Sequence, residues 1–324
     1  MTDQPFSLSR RGIASLALGG AAVALQARSA SAQQAAAPAS QALVSTEWLA
    51  ANLRDPKVRI IEVSVNPGLF ERGHIPGATN VSWHRDLVET VRRDIASRDQ
   101  IQNLLRRAGV TEDSTVVLYG DNNNWFAAWG AWVFDIYGVR DVRLLDGGRR
   151  KWEAEGRAVS TRPVQPTASN LTLAAAPNLA LRARLTDVVP IAQNQAAEVK
   201  LLDIRSPDEY SGRIFAPQGF QELAIRAGHI PGAVNVPWGQ AVRPDGTFKS
   251  VDELRALYAA VGIDGSKPIV VYCRIGERSS HSWFALKRLL GYQNVRQYDG
   301  SWTEYGNAVG VPISNPAGTV WGAT

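Results

Sequence analysis

The 324 residues are more chain than one compact domain needs, since domains commonly run to roughly 100–200 residues. With 45% hydrophobic and 20% charged residues, there is apolar material for packed cores, which excludes a disordered or collagen-like chain. A single cysteine and four histidines exclude an internal disulfide and multi-cysteine zinc or iron–sulfur sites, and leave little for any other metal.

The first element in chain order is Ser9-Arg10-Arg11-Gly12-Ile13, followed by an uncharged run from Gly12 to Ala27 and then Ala30-Ser31-Ala32. A charged n-region, a mild apolar run and small residues before a cleavage point predict a twin-arginine export signal over residues 1–32. A surface amphipathic helix would need polar residues at helical spacing, which this run does not show. Cleavage after Ala32 removes Arg10, Arg11, Arg28 and Asp3, so part of the formal charge of +5 belongs to the leader. The remainder is close to balance and gives no reason to expect nucleic acid as a partner. No later stretch reaches the roughly 20 apolar residues of a membrane span. The expected product is periplasmic, with no membrane attachment after signal cleavage.

The body of the chain is a repeat. Gly73-His74-Ile75-Pro76-Gly77-Ala78-Thr79-Asn80-Val81-Ser82-Trp83 returns as Gly228-His229-Ile230-Pro231-Gly232-Ala233-Val234-Asn235-Val236-Pro237-Trp238. Beyond it a constant register holds: Ser97 answers Ser250, Gly109 answers Gly262, Tyr119 answers Tyr272, and Asp146-Gly147 answers Asp299-Gly300. A shorter upstream spacing in the first copy places an insertion in the second at Ile214 to Ala227. The copies are assigned to residues 43–162 and 183–312, joined by a Pro-, Ala- and Ser-rich linker at 163–182 and followed by a tail at 313–324.

Each copy reads as α/β. The runs Val116–Tyr119 and Ile269–Tyr272 are apolar without alternation, as strands buried on both faces of a parallel sheet are. Ser250-Val251-Asp252-Glu253 is a capping box that opens a helix with Leu254, Leu257, Tyr258 and Val261 at helical spacing, closed by Gly262. Ser97 to Gly109 repeats that design with Gln100 in the place of Glu253. Alternating strands and helices predict an open parallel sheet with helices on both faces, and ligands beyond the carboxyl ends of its strands.

That position is occupied in the second copy by Cys273-Arg274-Ile275-Gly276-Glu277-Arg278-Ser279-Ser280. A short loop that closes onto a helix N-terminus turns backbone N–H groups toward one point and cradles an anion. Arg274 and Arg278 add positive charge, and Gly276 allows backbone conformations closed to other residues. Such fields bring a thiol from its ordinary value near 8.5 to below about 7.5. Cys273 is therefore expected to be a thiolate nucleophile needing no separate base. The alternative is a buried, inert cysteine, against which the strand-end position and the Gly/Arg loop argue.

The tandem repeat, the Gly-His-Ile-Pro-Gly-Ala motif in both copies, Leu202-Asp203-Ile204-Arg205 and the Cys-x-x-x-x-Arg loop together resemble a two-domain rhodanese over about Leu43 to Gly310. Within that family the loop is most similar to those of bacterial thiosulfate sulfurtransferases. The resemblance implies a ping-pong cycle: Cys273 takes the outer sulfur of thiosulfate, sulfite leaves, and cyanide or a thiol removes sulfur from the persulfide. It implies no metal and no organic cofactor, and small-molecule donor and acceptor partners, with a protein acceptor as a further candidate. Alternatives are 3-mercaptopyruvate as donor, for which relatives carry an uncharged loop, or a carrier that hands sulfur to a protein without turnover. A phosphatase reading is disfavoured because its relatives use Cys-x5-Arg. The first copy carries Gly120 and Asp121 at the Cys273 and Arg274 positions and is read as an inactive partner that closes the cleft.

The remaining assignments rest on position. Arg205, at a strand's carboxyl end, is read as contacting substrate, with pairing to Asp208 or Glu209 as the alternative. Asp203 either orients an arginine of the site or forms an ordinary buried pair. His74 and His229 are read as structural, since the copy without a thiol keeps its histidine. His281 is read as a solvated polar residue, Glu277 as the partner of a nearby arginine, and Trp302 as a cleft wall or core filler.

Overall fold

The computed structural model describes residues 41–219 and 224–322, so the export-signal assignment falls outside the described residues. In the first copy the strands are β1 (Leu43–Val44), β2 (Val58–Glu62), β3 (Thr79–Asn80), β4 (Thr115–Tyr119) and β5 (Asp141–Leu145). They form one parallel sheet in the order β1-β5-β4-β2-β3. The second copy has β6 (Arg182–Ala183), β7 (Lys200–Asp203), β8 (Ala233–Asn235), β9 (Ile269–Tyr272) and β10 (Val295–Tyr298). Its parallel order, β6-β10-β9-β7-β8, is the same topology repeated. All four residues of β9 are buried, as a central strand covered on both faces requires.

The helices of the first copy are α1 (Thr46–Ala51), α2 (Leu69–Arg72), α3 (Arg98–Arg107), α4 (Trp125–Ile136) and α5 (Gly148–Ala154). Those of the second are α6 (Leu185–Ala192), α7 (Pro207–Ser211), α8 (Val251–Ala259), α9 (Glu277–Phe284) and α10 (Ser301–Tyr305). The capping boxes at Ser97/Gln100 and Ser250/Glu253 form as expected. A third, Ser206/Glu209, opens α7. The largest apolar core is shared: Trp129, Trp132 and Phe134 of α4 belong to the same buried cluster as Trp283 and Phe284 of α9. Separate clusters cover the outer faces of the two sheets. The two copies thus meet through the helices that follow their central strands.

The linker is more ordered than its composition suggests. Leu171 and Leu173 are buried, and Arg106 and Arg98 of α3 donate to the Leu171 and Leu173 carbonyls at 2.7 and 2.6 Å. Arg182, the linker's last residue by sequence, is already in β6. The tail is likewise integrated: Ser314 exchanges both backbone hydrogen bonds with His229, as Ser160 does with His74 in the first copy. The insertion falls between α7 and β8, where Arg226 binds the carbonyls of Tyr305, Gly306, Ala308 and Val311.

Candidate active site

Cys273 follows the last residue of β9 and is fully buried. Its Sγ accepts the Gly276 N–H at 3.1 Å, lies 3.4 Å from Glu277 Oε2 and 4.0 Å from Ser301 Oγ. The Cys273 N–H donates to Ser301 Oγ at 3.1 Å, so the start of α10 fixes the backbone that presents the sulfur. Gly276 is required twice. Its φ of +99° suits only a residue without a side chain, and a Cβ there would come within 2.4 Å of Trp129 Cζ3. Trp129 belongs to α4, so the first copy roofs the loop of the second.

The Arg278 guanidinium is committed to neighbouring carboxylates. The terminal nitrogens of Arg278 both donate to Glu209, each at 2.9 Å, and its Nε lies 3.5 Å from Glu277 Oε1. Glu209 is itself buried, and Arg278 and the Ser206 cap hold its carboxyl below the usual range against the upward push of burial. Arg274 is buried, and its carbonyl accepts from the Thr303 N–H and hydroxyl at 2.9 and 2.7 Å. The structure therefore gathers Cys273, Gly276, Glu277 and Arg278 around the sulfur, with Arg274 in the same turn.

Around Cys273 the cationic field expected to favour a thiolate is opposed. Burial and the Glu277 carboxylate push the Cys273 thiol up from its ordinary value, while Arg278 and hydrogen bonds from Ser279 pull less strongly downward. The arginine field acts in the expected direction, but it competes with full desolvation and with a like charge.

Arg205 acts electrostatically on Glu209, while its hydrogen bonds go elsewhere. It is buried, donates to Asp203 at 2.6, 3.0 and 3.1 Å and to the Gly228 carbonyl at 2.8 Å, and lies 4.8 Å over the Trp302 ring. Arg205 is held in a buried pair, with Asp203 and not Asp208 or Glu209 as its hydrogen-bonded partner. Trp302 fills the core and donates to the Arg226 carbonyl at 3.0 Å. His74 and His229 stack on Phe70 and Tyr210 at 3.8 and 3.7 Å and bond backbone carbonyls, in the structural role expected. His281 is not solvated: it is buried against Phe248 at 4.3 Å, and burial lowers it to about 3.

Four contributors went unread in the sequence: Glu209 as the Arg278 partner, Ser301, Trp129 and Arg93. Arg93, in the loop before α3, donates to the Ile275 carbonyl at 3.1 Å. The capping box at Ser206–Glu209 was visible as a helix start, and Ser301 directly follows the repeated Asp-Gly pair. Nothing local marks Trp129 or Arg93, because their role depends on how the copies pack.

Residues 45–155 and 190–308 each match the Rhodanese-like domain family. The chain belongs to that family, as a tandem of two such domains. A protein of Mycolicibacterium smegmatis named "Putative thiosulfate sulfurtransferase" is 50% identical over 275 residues, 85% of this chain and 98% of its own. The "Sulfur carrier protein TtuD" of Thermus thermophilus is 51% identical over 276 residues, 85% and 96% of the two chains. Among solved structures, a persulfide form of EanB with ergothioneine superposes with a TM-score of 0.73 at 26% identity, covering 84% of this chain and 70% of that one. YnjE gives 0.72 at 28% identity, covering 85% and 68%.

Proposed function

We propose that the protein transfers sulfane sulfur from thiosulfate to a thiophilic acceptor through a persulfide on Cys273. The observation that carries this reading is the position of Sγ: it is held at a strand's carboxyl end by the Gly276 N–H, with Arg278 one residue beyond Glu277. In the first half-reaction the sulfur attacks the outer sulfur of thiosulfate. A new S–S bond forms, the donor's S–S bond breaks, and its electron pair leaves with sulfite. In the second half-reaction cyanide or a thiolate attacks the outer persulfide sulfur and restores Cys273. The Gly276 amide contacts the sulfur and the charge of Arg278 acts on it, a field suited to charge that moves between the two sulfur atoms. The cycle calls on neither a metal nor an organic cofactor.

Thiosulfate is preferred over 3-mercaptopyruvate because Arg274 puts a cation in the turn beyond the one that Glu209 pairs, and added positive charge suits a compact dianion. Steady-state turnover with thiosulfate and cyanide tests this reading: thiocyanate should be released with parallel double-reciprocal lines. Removing a charge-assisted contact typically costs about 1.5–3 kcal/mol, so Arg274→Gly should lower kcat/KM for thiosulfate roughly 10- to 150-fold and for mercaptopyruvate less. A wild-type preference for mercaptopyruvate would reassign the donor. The name of the Thermus relative favours one other reading, a carrier that loads sulfur for a protein acceptor, and a persulfide that forms without thiocyanate turnover would select it. Periplasmic delivery belongs to the proposal as well: Arg10-Arg11→Lys-Lys should strand the precursor in the cytoplasm, and unchanged export would remove the twin-arginine assignment.

A further inference from the structure

Glu277 is a carboxylate where an anion-binding loop has least use for one. It is buried, Oε2 lies 3.4 Å from Cys273 Sγ, and Oε1 lies 3.5 Å from Arg278 Nε. Arg278 cannot neutralise both the carboxylate and a thiolate, because its terminal nitrogens are held by Glu209. The other charged groups packed around the loop are engaged elsewhere or uncharged. Asp299 is paired with Arg182 at 2.7 and 2.8 Å, Asp203 with Arg205 at 2.6 Å, and Arg93 is bound to the Ile275 carbonyl. Farther along α9, His281 is neutral among aromatic rings. Arg274 supplies one further cation from within the turn. Two adjacent anions, thiolate and carboxylate, would repel strongly at this separation out of water. A thiol and a carboxylate at 3.4 Å instead make a charge-assisted donor and acceptor pair.

We propose that Glu277 is a catalytic residue of this chain, sharing one proton with Cys273. With the proton on sulfur the site rests as a thiol hydrogen-bonded to a carboxylate. When it moves to Oε2 the sulfur becomes a thiolate and Glu277 becomes neutral, so an incoming dianionic donor meets one negative charge and not two. The proton remains on Glu277 while the donor's S–S bond breaks and sulfite departs. It is available to return to Sγ after the acceptor has taken the outer sulfur. No proton is exchanged with solvent in the first half-reaction. This inference rests on the persulfide reading and names the group that makes its nucleophile.

The test is Glu277→Gln, followed by two readouts across pH 5.5 to 9: the rate of Cys273 alkylation by iodoacetamide, and single-turnover sulfur uptake from thiosulfate measured by mass. The amide removes the like charge and cannot take the proton. Alkylation near pH 6.5 should accelerate about fivefold or more, with its midpoint moved down in pH, whereas sulfur uptake, which in the wild type releases no proton to solvent, should become dependent on pH in the amide and fall about fivefold or more toward pH 5.5. Glu277→Asp keeps the charge on a shorter arm, and its midpoint should fall between those of the wild type and the amide. Profiles that superpose for all three proteins, or aspartate behaving like glutamine, would overturn the proposal by showing that Glu277 only packs against Arg278. Failure of the wild-type protein itself to take up sulfur would instead sink the persulfide reading.

Discussion

The chain leaves β4 through Gly120-Asp121-Asn122-Asn123-Asn124 and leaves β9 through Cys273-Arg274-Ile275-Gly276-Glu277, and the two turns solve one geometric problem with different chemistry. In the second copy Ser301 Oγ accepts the Cys273 N–H, and the serine holds a φ of +51° to do so. In the first copy the corresponding residue is Gly148, with a φ of +58°. Asn124 Oδ1 fills that space and accepts the Gly120 N–H at 2.9 Å. A Cβ on Gly120 would stand 2.2 Å from the Val63 carbonyl oxygen, so the position cannot carry a thiol without moving the strand beside it. Asp121 also supplies its own anion, accepting the N–H groups of Val65 and Asn66. The first copy has thus kept the fold's strand-end turn and closed it internally. Its Trp129 and Arg93 reach the loop of the second copy.

The largest differences between the copies are expected at their buried carboxylates. Glu209→Ala removes the bidentate acceptor of buried Arg278, and removing one member of a buried pair costs about 3–5 kcal/mol. It should lower both Tm and turnover. In the first copy Glu62→Ala removes the buried acceptor of the Tyr119 hydroxyl and of Arg149, which donates to it at 2.8 Å and retains Glu153. A Tm loss of similar size is expected there, with kcat/KM per folded molecule kept within about threefold. Equal losses of activity in the two variants would show that the copies are not divided as described.

A smaller effect is expected at Gly276. Gly276→Ala places a methyl group against Trp129 at a positive φ, and overpacking of this kind costs about 1–3 kcal/mol. The register counterpart Asn123 also has a positive φ, +54°. Asn123→Gly should be neutral or stabilising by up to about 1 kcal/mol, as read from paired denaturation curves. At Ser301 the difference is finer still. Ser301→Ala loses the acceptor for the Cys273 N–H and keeps the strain, whereas Ser301→Gly imitates the first copy and relieves it. The alanine variant should be the less stable by about 1 kcal/mol.

The smallest effect at neutral pH is at His281, whose register counterpart is Ala128. A histidine lowered from 6.5 to about 3 in the folded state gives its full contribution above pH 6.5, and that contribution is lost as pH falls toward 3, because only the unfolded chain takes up the proton readily. His281→Leu should therefore leave stability near pH 7.5 little changed and flatten its decline between pH 6 and 4. An unchanged acid slope would mean that His281 is solvated after all.

The repeat, the parallel order and the position of Cys273 were legible because each depends on local pattern: apolar runs, capping boxes and a motif present twice. The electrostatics of the loop were less so. Two arginines beside a cysteine suggested a thiolate, but the sequence does not reveal that Glu209 claims one guanidinium from 69 residues away or that Glu277 turns toward sulfur. Arg205 misled for the same reason. Its strand-end position was read correctly, while its partner, two residues back on the same strand, was not the one expected. Trp129 lies beyond any local pattern, since only the docking of α4 on α9 brings it over Gly276.

The division of labour between the copies is tested most directly by intact-mass measurement after incubation with thiosulfate and removal of the excess. The wild-type protein should gain the mass of one sulfur atom, located by peptide mapping on Cys273 and discharged by cyanide, while Cys273→Ser should gain nothing and release no thiocyanate. Sulfur retained by the serine variant, or turnover that persists without the thiol, would contradict the account.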